Sequence, residues 1–277
     1  MLFSVHAIHT DAVSNITGRA DVLAALFFLL SFFSYKKIKE KGKFFLVLTI
    51  ILAYFALLSK ETGITVLGVC FFYELWIYDF SFFSRLKSYL KNSLIQKKIC
   101  LNAFLSLLKS QKSLLSLICI LIAGVLAIIF RSNLSSNNFE WFLNIDPSMN
   151  PAAASSDLIT RILSLNYIAA KHFLLMIVPF SLSHNWQGAS IPLIKTIFDF
   201  RNIVTLIFYL LTFFWLYLCF RANISKKQKK GLRLSFLITF FSFLPSANIF
   251  IKVGFVLAER VLYIPSIGFC AFLVFSL

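Results

Sequence analysis

Three short polar motifs in this chain carry side chains that can do chemistry, and each lies at the edge of a long apolar run. The motifs are HAIHTDAV with GRAD in residues 6–21, LSKE in residues 58–61, and AERVLY in residues 258–263. Carboxylate and imidazole groups can accept a proton from a hydroxyl, and basic groups can stabilise a phosphate. An ionisable group at membrane depth costs roughly 2.5–3.5 kcal/mol on insertion scales, so such groups usually serve a function.

The basic residues of these motifs are candidates for binding a phosphate. A guanidinium group suits a phosphate best, because it forms two parallel hydrogen bonds. Arg260 and Arg19 are therefore the first candidates and Lys60 is the second. The alternative interpretation is structural: Arg19 with Asp21, and Lys60 with Glu61, would neutralise each other at helix ends.

The two histidines of the first motif are candidates for a polar binding site. His6 and His9 are three residues apart, so on a helix they would share a face. With Asp11 they could bind sugar hydroxyls or relay a proton, and the alternative is a cap at the membrane interface. Two histidines and one aspartate are a loose metal signature, and we predict no metal site. The remaining acidic candidates for a polar site are Asp21, Glu61 and Glu259.

Long apolar segments position these motifs. The chain is 59% hydrophobic, with a mean hydropathy of +0.85, whereas soluble domains are about 45–50% apolar. A bilayer core of about 30 Å takes about 20 apolar residues per helix. We therefore predict an all-α polytopic membrane protein with about seven or eight apolar helices, in segments 22–35, 44–59, 62–78, 114–130, 162–182, 203–220, 234–251 and 261–277.

The net charge of +16 is concentrated in a few short segments. Of the 27 basic residues, 18 fall in residues 36–43, 85–112 and 221–233, where Glu40 is the only acid. A one-sided excess of Lys and Arg in short loops is the positive-inside signal, which places these loops in the cytosol. This distribution argues against nucleic-acid binding, although the loops could also contact anionic lipid.

The charge bias also predicts the topology. It places residues 1–21 outside the cytosol, 80–113 in the cytosol with an amphipathic piece near 94–109, and 131–160 in an outer loop. If 162–182 crossed the membrane fully, the basic segment 221–233 would lie outside. We therefore predict that 162–182 is re-entrant or interfacial, which leaves residues 131–202 outside and puts all three motifs on one side.

The cysteines give no sign of a disulfide framework or a metal site. They show no paired spacing, and most lie in apolar runs, where cysteine acts as a small hydrophobe (Cys70, Cys100, Cys119, Cys219 and Cys270). The chain also has no HExxH, P-loop or GxGxxG motif. We expect no cofactor.

Six sequence blocks in order resemble the transmembrane and TPR-repeat-containing (TMTC) O-mannosyltransferases. The first two are H-x-I-H-T-D-A-V with G-R-A-D, and L-S-K-E-T-G-I-T-V-L-G. The others are N-P-A-A from residue 150, N-W-Q-G-A-S-I-P-L from 185, S-F-L-P-S-A-N from 242 and A-E-R-V-L-Y-I-P-S from 258. Together they cover nearly the whole chain.

This resemblance implies a multi-pass glycosyltransferase of the GT-C type in the endoplasmic reticulum membrane. It implies dolichyl-phosphate mannose as the donor and Ser/Thr of secretory-pathway proteins, notably cadherin-type domains, as acceptors. It also implies that the three motifs face the lumen, in agreement with the charge bias. Two residues depart from the family pattern: Ala7 replaces a usual proline, and Asn185 replaces a frequent aspartate, so Asn185 is given no catalytic role.

The resemblance further implies that residues 1–277 are part of the family's membrane region, truncated at both ends. The first lumenal loop, which holds the expected catalytic base, and the C-terminal TPR repeats are absent from this sequence. The catalytic residue is therefore unknown, with Asp11 as the fallback, and we expect the isolated chain to be inactive. Two other function classes stay open: a polytopic transporter, and a non-catalytic membrane scaffold. Charges at one face and the lack of a hydropathy repeat argue against a transporter.

Overall fold

Helices make up almost all the regular structure in the computed structural model, which describes residues 1–78, 112–134, 146–183, 186–220, 224–249 and 252–277. Within these ranges the one β contact is an antiparallel bridge between Trp186 and Leu257. The α-helices are α1 (Thr10–Ser14), α2 (Arg19–Lys41), α3 (Phe44–Ser59), α4 (Thr65–Phe72), α5 (Lys112–Leu134), α6 (Pro151–Ala154), α7 (Leu158–Ile177), α8 (Asn202–Phe220), α9 (Lys226–Phe243) and α10 (Tyr263–Ser276). A π-helical turn continues α4, and 3₁₀ turns precede α1, α4 and α10 (Tyr73–Tyr78, Ala7–His9, Glu61–Ile64 and Glu259–Leu262).

Local sequence signals determine where several helices begin and end. Ser225 and Gln228 cap each other's backbone N–H groups, so α9 starts inside the basic segment. The Asp157 carboxylate accepts a backbone N–H from the first turn of α7. Gly42, with a φ of 90°, ends α2 and donates its N–H to the Ile38 carbonyl, a conformation that other residues rarely adopt.

The structure corrects the boundaries of three predicted segments. The apolar segment predicted at 234–251 is the helix α9, which starts eight residues earlier and takes up most of the predicted loop 221–233. The segment predicted at 162–182 ends as a helix at Ile177, two residues before Pro179, which cannot continue a helix. The predicted outer loop 131–160 contains α6 and the start of α7 among its described residues.

Helices α2 and α3 form an antiparallel hairpin. The Ser31 hydroxyl donates a hydrogen bond to the Thr49 carbonyl in the middle of the hairpin, at 2.9 Å. The Lys37 ammonium lies over the Phe45 ring, 5.9 Å from its centroid, near the connecting turn. The first turn of α2 therefore lies beside the end of α3.

Helices α9 and α10 also pack antiparallel and very closely. The Thr239 hydroxyl donates to the Pro265 carbonyl at 3.2 Å, near the end of α9 and the start of α10. At the other end, Gly231 lies against the ring of Phe275. Small residues at such an interface allow two helix backbones to approach each other.

Gly268 has no space for a side chain between α9 and α10. A Cβ atom there would lie 2.5 Å from the Ser235 carbonyl oxygen and would also contact Thr239. We therefore expect Gly268→Val to lower the free energy of unfolding by about 1–3 kcal/mol, the usual effect of overpacking. Unfolding in SDS, followed by circular dichroism, measures the change. Gly124→Val is the control, because nothing described lies within 4 Å of that position, and an equal loss in both variants would contradict the prediction.

The last two turns of helix α7 pack against the end of α9 and the starts of α8 and α10. The His172 ring lies 5.1 Å from that of Phe243, the last residue of α9. Phe173 contacts Phe208 in the second turn of α8 and Phe269 in the second turn of α10, at 5.3 and 5.9 Å. These contacts place α7 where the chain leaves α9 and enters α10.

Helix length and composition identify a few candidate membrane spans among the described residues. Two helical stretches are long and apolar enough to cross a membrane: Asn202–Phe220 and Glu259–Ser276. A third span results if the bent pair Ala7–Ser14 and Arg19–Ile38, which meet at 108°, counts as one. Shorter apolar helices cover Phe44–Ser59 and Ser116–Arg131. The described part of the chain is thus helical, and its apolar helices indicate a membrane protein.

Candidate functional site

Antiparallel packing places the three polar motifs and two of the basic segments at opposite ends of the helices. The first turn of α2, the end of α3 and the start of α10 lie together with residues 3–18, 60–64 and 256–262, and we call this region the motif end. The basic residues of 36–43 and 226–233 belong to the other termini of α2, α3 and α9, which form the basic end. Motifs about 200 residues apart in sequence therefore meet at one end of the molecule.

A buried ion pair joins two of the motifs. The Lys60 ammonium binds the Asp21 carboxylate, and the side chains of Lys60 and Asp21 are 20% and 3% exposed. Asp21 also interacts electrostatically with Arg260 and Asp11. The pairs of the structural alternative, Arg19 with Asp21 and Lys60 with Glu61, are not the pairs that form.

Glu61 instead forms a surface ion pair with a residue outside the motifs. Its carboxylate binds the Arg131 guanidinium at the end of α5, and the two side chains are 55% and 45% exposed. An exposed pair of this kind contributes little to stability. Glu61 therefore points away from Lys60 and toward the surface.

Two guanidinium groups at the motif end are open to a ligand. Within the described part of the chain, neither the Arg260 nor the Arg19 side chain makes a hydrogen bond or an ion pair. Arg260 is half-buried beside the Asp21–Lys60 pair, whereas Arg19 is exposed. Guanidinium groups without protein partners are suited to bind an anion such as a phosphate.

The two histidines attach the N-terminal segment to the rest of the motif end. The His6 Nδ1 atom accepts the Ile8 N–H at 3.2 Å, so its Nε2 atom donates to the Met176 carbonyl at 2.8 Å. The His9 Nε2 atom shares a hydrogen bond with the Ser266 hydroxyl at 2.8 Å. Their ring centroids are 5.7 Å apart. Among the described residues, no three His, Cys, Asp or Glu side chains form a metal-binding group.

Aromatic rings surround His9. Its ring centroid lies 4.2 Å from that of Phe3 and 4.9 Å from that of Tyr263. The Phe3 and Tyr263 rings are in turn 5.3 Å apart, in an edge-to-face arrangement. The first residues of the chain and the start of α10 therefore form one packed unit.

The remaining acids of the motif end differ in their surroundings. Glu259 is buried, and its carboxylate accepts the Ser183 N–H at 2.5 Å. Asp11 is half-buried, and its Oδ1 atom accepts the Asn15 amide at 3.2 Å. Asp11 also interacts electrostatically with Glu259 and Asp21. Glu259 therefore holds the segment after α7, while Asp11 lies nearer the surface of the same cluster.

Asn150 organises the approach to the motif end, a role that its sequence block alone did not indicate. Its fully buried amide donates to the carbonyls of Val253 and Phe255, both at 2.9 Å, and to the Asn248 side chain at 3.3 Å. Its carbonyl oxygen accepts the N–H of Ala153 in α6. These bonds fix the stretch that leads into Glu259 and Arg260. Asn185, where the sequence departs from the family pattern, lies outside the described residues.

The stability of the charged turn before α8, residues 192–201, should depend on pH. The Arg201 guanidinium donates to the carbonyls of Pro192 and Leu193 and to the Asp199 carboxylate. Its hydrogen bonds hold the pKa of Asp199 at about 2, below the ordinary 3.8. Because the pKa of Asp199 is lower in the folded turn than in the unfolded chain, the ionised carboxylate stabilises the folded turn at pH values above 3.8. This stabilisation disappears as the pH falls through the pKa of the folded turn, about 2.

We therefore expect the turn at 192–201 to lose protection from hydrogen exchange between about pH 4 and pH 2. Hydrogen exchange with mass spectrometry, corrected for the intrinsic rate at each pH, measures the protection. Asp199→Asn should lower protection at pH 5 and remove the pH dependence of this turn. A turn whose protection stays constant in the unsubstituted protein would contradict the prediction.

Comparison with known proteins identifies the family. The family model described as "Protein O-mannosyl-transferase TMTC, DUF1736" matches residues 142–213. Human TMTC1 is 36% identical over 100% of the chain, human TMTC4 is 35% identical over 100%, and human TMTC3 is 34% identical over 98%. The chain belongs to the TMTC family. It spans only 32%, 37% and 29% of these three relatives, which are named protein O-mannosyl-transferases.

The comparisons with TMTC proteins cover the motif end and the helix α7 that contacts it. The alignments with the relatives run over nearly the whole chain, so they include all three polar motifs. The family model covers α6, α7 and the turn before α8, and α7 contacts the motif end through the Met176 carbonyl, which accepts a hydrogen bond from His6. No solved structure matches the chain.

Proposed function

We propose that this TMTC chain is the membrane part of a protein O-mannosyltransferase of the GT-C type. It would transfer mannose from dolichyl-phosphate mannose to Ser or Thr of secretory-pathway proteins such as cadherins, at the lumenal face of the endoplasmic reticulum membrane. The supporting comparison is with relatives named O-mannosyl-transferases. The observation that carries the proposal is the half-buried, unpaired Arg260 guanidinium beside the Asp21–Lys60 pair.

The donor phosphate would bind at the motif end. Arg260 offers a planar pair of donors from a half-buried position, and Arg19 offers a second guanidinium at the rim. Lys60 adds positive charge but is already held by Asp21, so its role is secondary. A helix terminus at the membrane edge suits a lipid-linked phosphate, because its chain can remain in the bilayer.

The transfer itself requires one bond to form and one to break. The acceptor hydroxyl oxygen attacks C1 of the mannose, and the bond between C1 and the phosphate oxygen breaks. The phosphate leaves with the electron pair as dolichyl phosphate, while the hydroxyl proton passes to a base. Preorganised guanidinium groups stabilise the negative charge that develops on the leaving phosphate.

Asp11 is the best candidate for the base among the described acids. Asp21 is held by Lys60, Glu61 by Arg131, and Glu259 by a backbone N–H in a buried position. Asp11 has the Asn15 amide as a hydrogen-bond partner, but it is less buried than Asp21 and Glu259 and lies within electrostatic range of both. A positioned carboxylate base contributes typically about 10²–10⁴-fold to such a reaction.

The proposed topology places the two ends on opposite sides of the membrane. We expect a single cysteine at Lys229, in the basic end, to react with an impermeant maleimide in sealed microsomes, because that end should face the cytosol. A cysteine at Ser183 should react only after permeabilisation. The reverse labelling of Lys229 would contradict the arrangement and make 162–182 a full span. The predicted cytosolic segment 80–113, with its amphipathic piece at 94–109, lies outside the described residues.

A transfer assay tests the proposed activity. The full-length protein, with this chain as its membrane part, is purified in detergent and supplied with radiolabelled dolichyl-phosphate mannose and a cadherin-type domain, and mass spectrometry locates the product. The expected result is mannose on Ser or Thr, with no transfer from dolichyl-phosphate glucose. Folded protein that transfers no mannose would overturn the proposal. Movement of the mannosyl lipid across liposomes without transfer would instead indicate a transporter.

A further inference from the structure

A cavity of about 280 Å³ borders the motif end and has no role in the proposed transfer. It lies between the last turns of α7 and the short bridge that joins Trp186 to Leu257. Its walls are mostly apolar and include Leu174 and Val178. A cavity of this size is near the lower end of the range for small-molecule sites, so it would enclose part of a ligand.

One positive charge lies in this apolar cavity. The half-buried Lys171 ammonium is 5.8 Å from the centroid of the Trp186 ring. Within the described residues Lys171 makes no ion pair, and no carboxylate lines the cavity. A cation in apolar surroundings without a counter-charge favours an anionic ligand.

Trp186 connects this cavity to the candidate site. Its backbone N–H donates to the Leu257 carbonyl at 3.1 Å, two residues before Glu259. Its indole ring lines the cavity, while the buried indole nitrogen makes no hydrogen bond of normal geometry, although it interacts with the Glu259 carboxylate. The Trp186 side chain therefore connects the wall of the cavity to Glu259.

The rim of the cavity is open and apolar. Phe180, which lines it just after α7, is 78% exposed, and Val178 is 37% exposed. Exposed apolar side chains at the edge of a membrane protein are suited to contact lipid chains. A ligand could thus reach Lys171 with its apolar part directed out toward lipid.

We propose that this cavity binds a single-chain anionic lipid, with its head group on the Lys171 ammonium and the first segment of its chain against Leu174, Val178 and Leu257. The ligand class is an anionic head, phosphate or carboxylate, on one apolar chain. The cavity volume admits the head and the start of one chain. The site is separate from Arg260 and does not depend on mannosyl transfer.

Photoaffinity labelling of the chain in nanodiscs tests this site. The probes are diazirine-bearing farnesyl phosphate, diazirine-bearing laurate and the neutral farnesol analogue, and mass spectrometry maps the labelled peptides. We expect at least one anionic probe to label residues 174–180 at low concentration. Lys171→Gln should raise its half-saturating concentration about tenfold, the effect expected for one charge-assisted hydrogen bond. Lys171→Arg should restore labelling, and Lys195→Gln, an exposed lysine outside the cavity, should match the unsubstituted protein.

A second substitution tests the apolar wall independently of the charge. Leu174→Trp keeps Lys171 but fills the cavity, so it should abolish labelling of 174–180 by charged and neutral probes alike. Arg260→Ala should leave this labelling intact, which separates the site from the proposed donor site. The anionic probe that labels more strongly identifies the head group as phosphate or carboxylate. Equal labelling in Lys171→Gln and Lys195→Gln, or labels confined to other segments, would overturn the proposal.

Discussion

Replacement of Arg260 by alanine is expected to reduce mannosyl transfer by about 10²–10³-fold, the usual loss when one stabiliser of a developing anion is removed. The guanidinium is half-buried and unpaired among the described residues, so it is free to bind the leaving phosphate. Since it forms no hydrogen bond or ion pair with the described residues and interacts with Asp21 only at longer range, the variant should fold normally. The rate of transfer from dolichyl-phosphate mannose, measured beside the melting temperature, separates the two effects.

The shape of the cationic group at position 260 should also affect the rate of transfer. Arg260→Lys should recover only a small part of the rate, because an ammonium group lacks the planar pair of donors. Arg19→Ala should also reduce transfer, in line with its place at the rim. Arg131→Ala is the matched control, since that arginine already has Glu61 as a surface partner, and its rate should stay within about twofold of the unsubstituted protein. Full activity in Arg260→Ala would exclude the proposed phosphate site.

Replacement of Lys60 by methionine is expected to destabilise the protein by about 2–4 kcal/mol. Removal of one partner of a fully buried ion pair costs about 3–5 kcal/mol, because the other charge stays buried and unpaired. Here Asp21 is 3% exposed and Lys60 is 20% exposed, so part of the charge remains accessible to water. Unfolding in SDS measures the loss.

The double variant Asp21→Leu with Lys60→Met gives the control for this pair. Since it leaves no unpaired charge, it should recover most of the stability lost in Lys60→Met. If Lys60 acts only as a phosphate ligand, Lys60→Met should leave stability unchanged and lower transfer alone. That result would contradict the structural role of the ion pair.

Apolar length is a local property, so the sequence predicts where helices lie, although only two helices, or three if the bent pair counts as one span, are long and apolar enough to cross a membrane among the described residues. Each of the eight predicted apolar segments contains a helix in the described structure. Boundaries were less accurate where a cap competes with composition: Ser225 and Gln228 start α9 within a segment so basic that it was predicted as a loop. A helix can begin in charged residues when its next turns are apolar and packed.

Side-chain partners across the motifs could not be predicted from sequence. Asp21 is two residues from Arg19 in the GRAD motif but binds Lys60, because helix rotation in the α2–α3 hairpin decides which side chain faces inward. His6 and His9 have partners on α7 and α10, more than 160 residues away. Asn150 likewise depends on carbonyls about 100 residues further along the chain. The sequence identified which residues form the cluster, and only packing determines how they pair.

Cross-linking of two introduced cysteines tests most directly whether the separated motifs form one site. In a cysteine-free background, Phe3→Cys with Tyr263→Cys should be joined rapidly by a short bis-maleimide, because these rings are 5.3 Å apart. Phe3→Cys with Phe44→Cys pairs the motif end with the basic end and should stay unlinked. Equal cross-linking of the two pairs, or cross-linking of the Phe44 pair alone, would contradict the assembly of the motifs at one end.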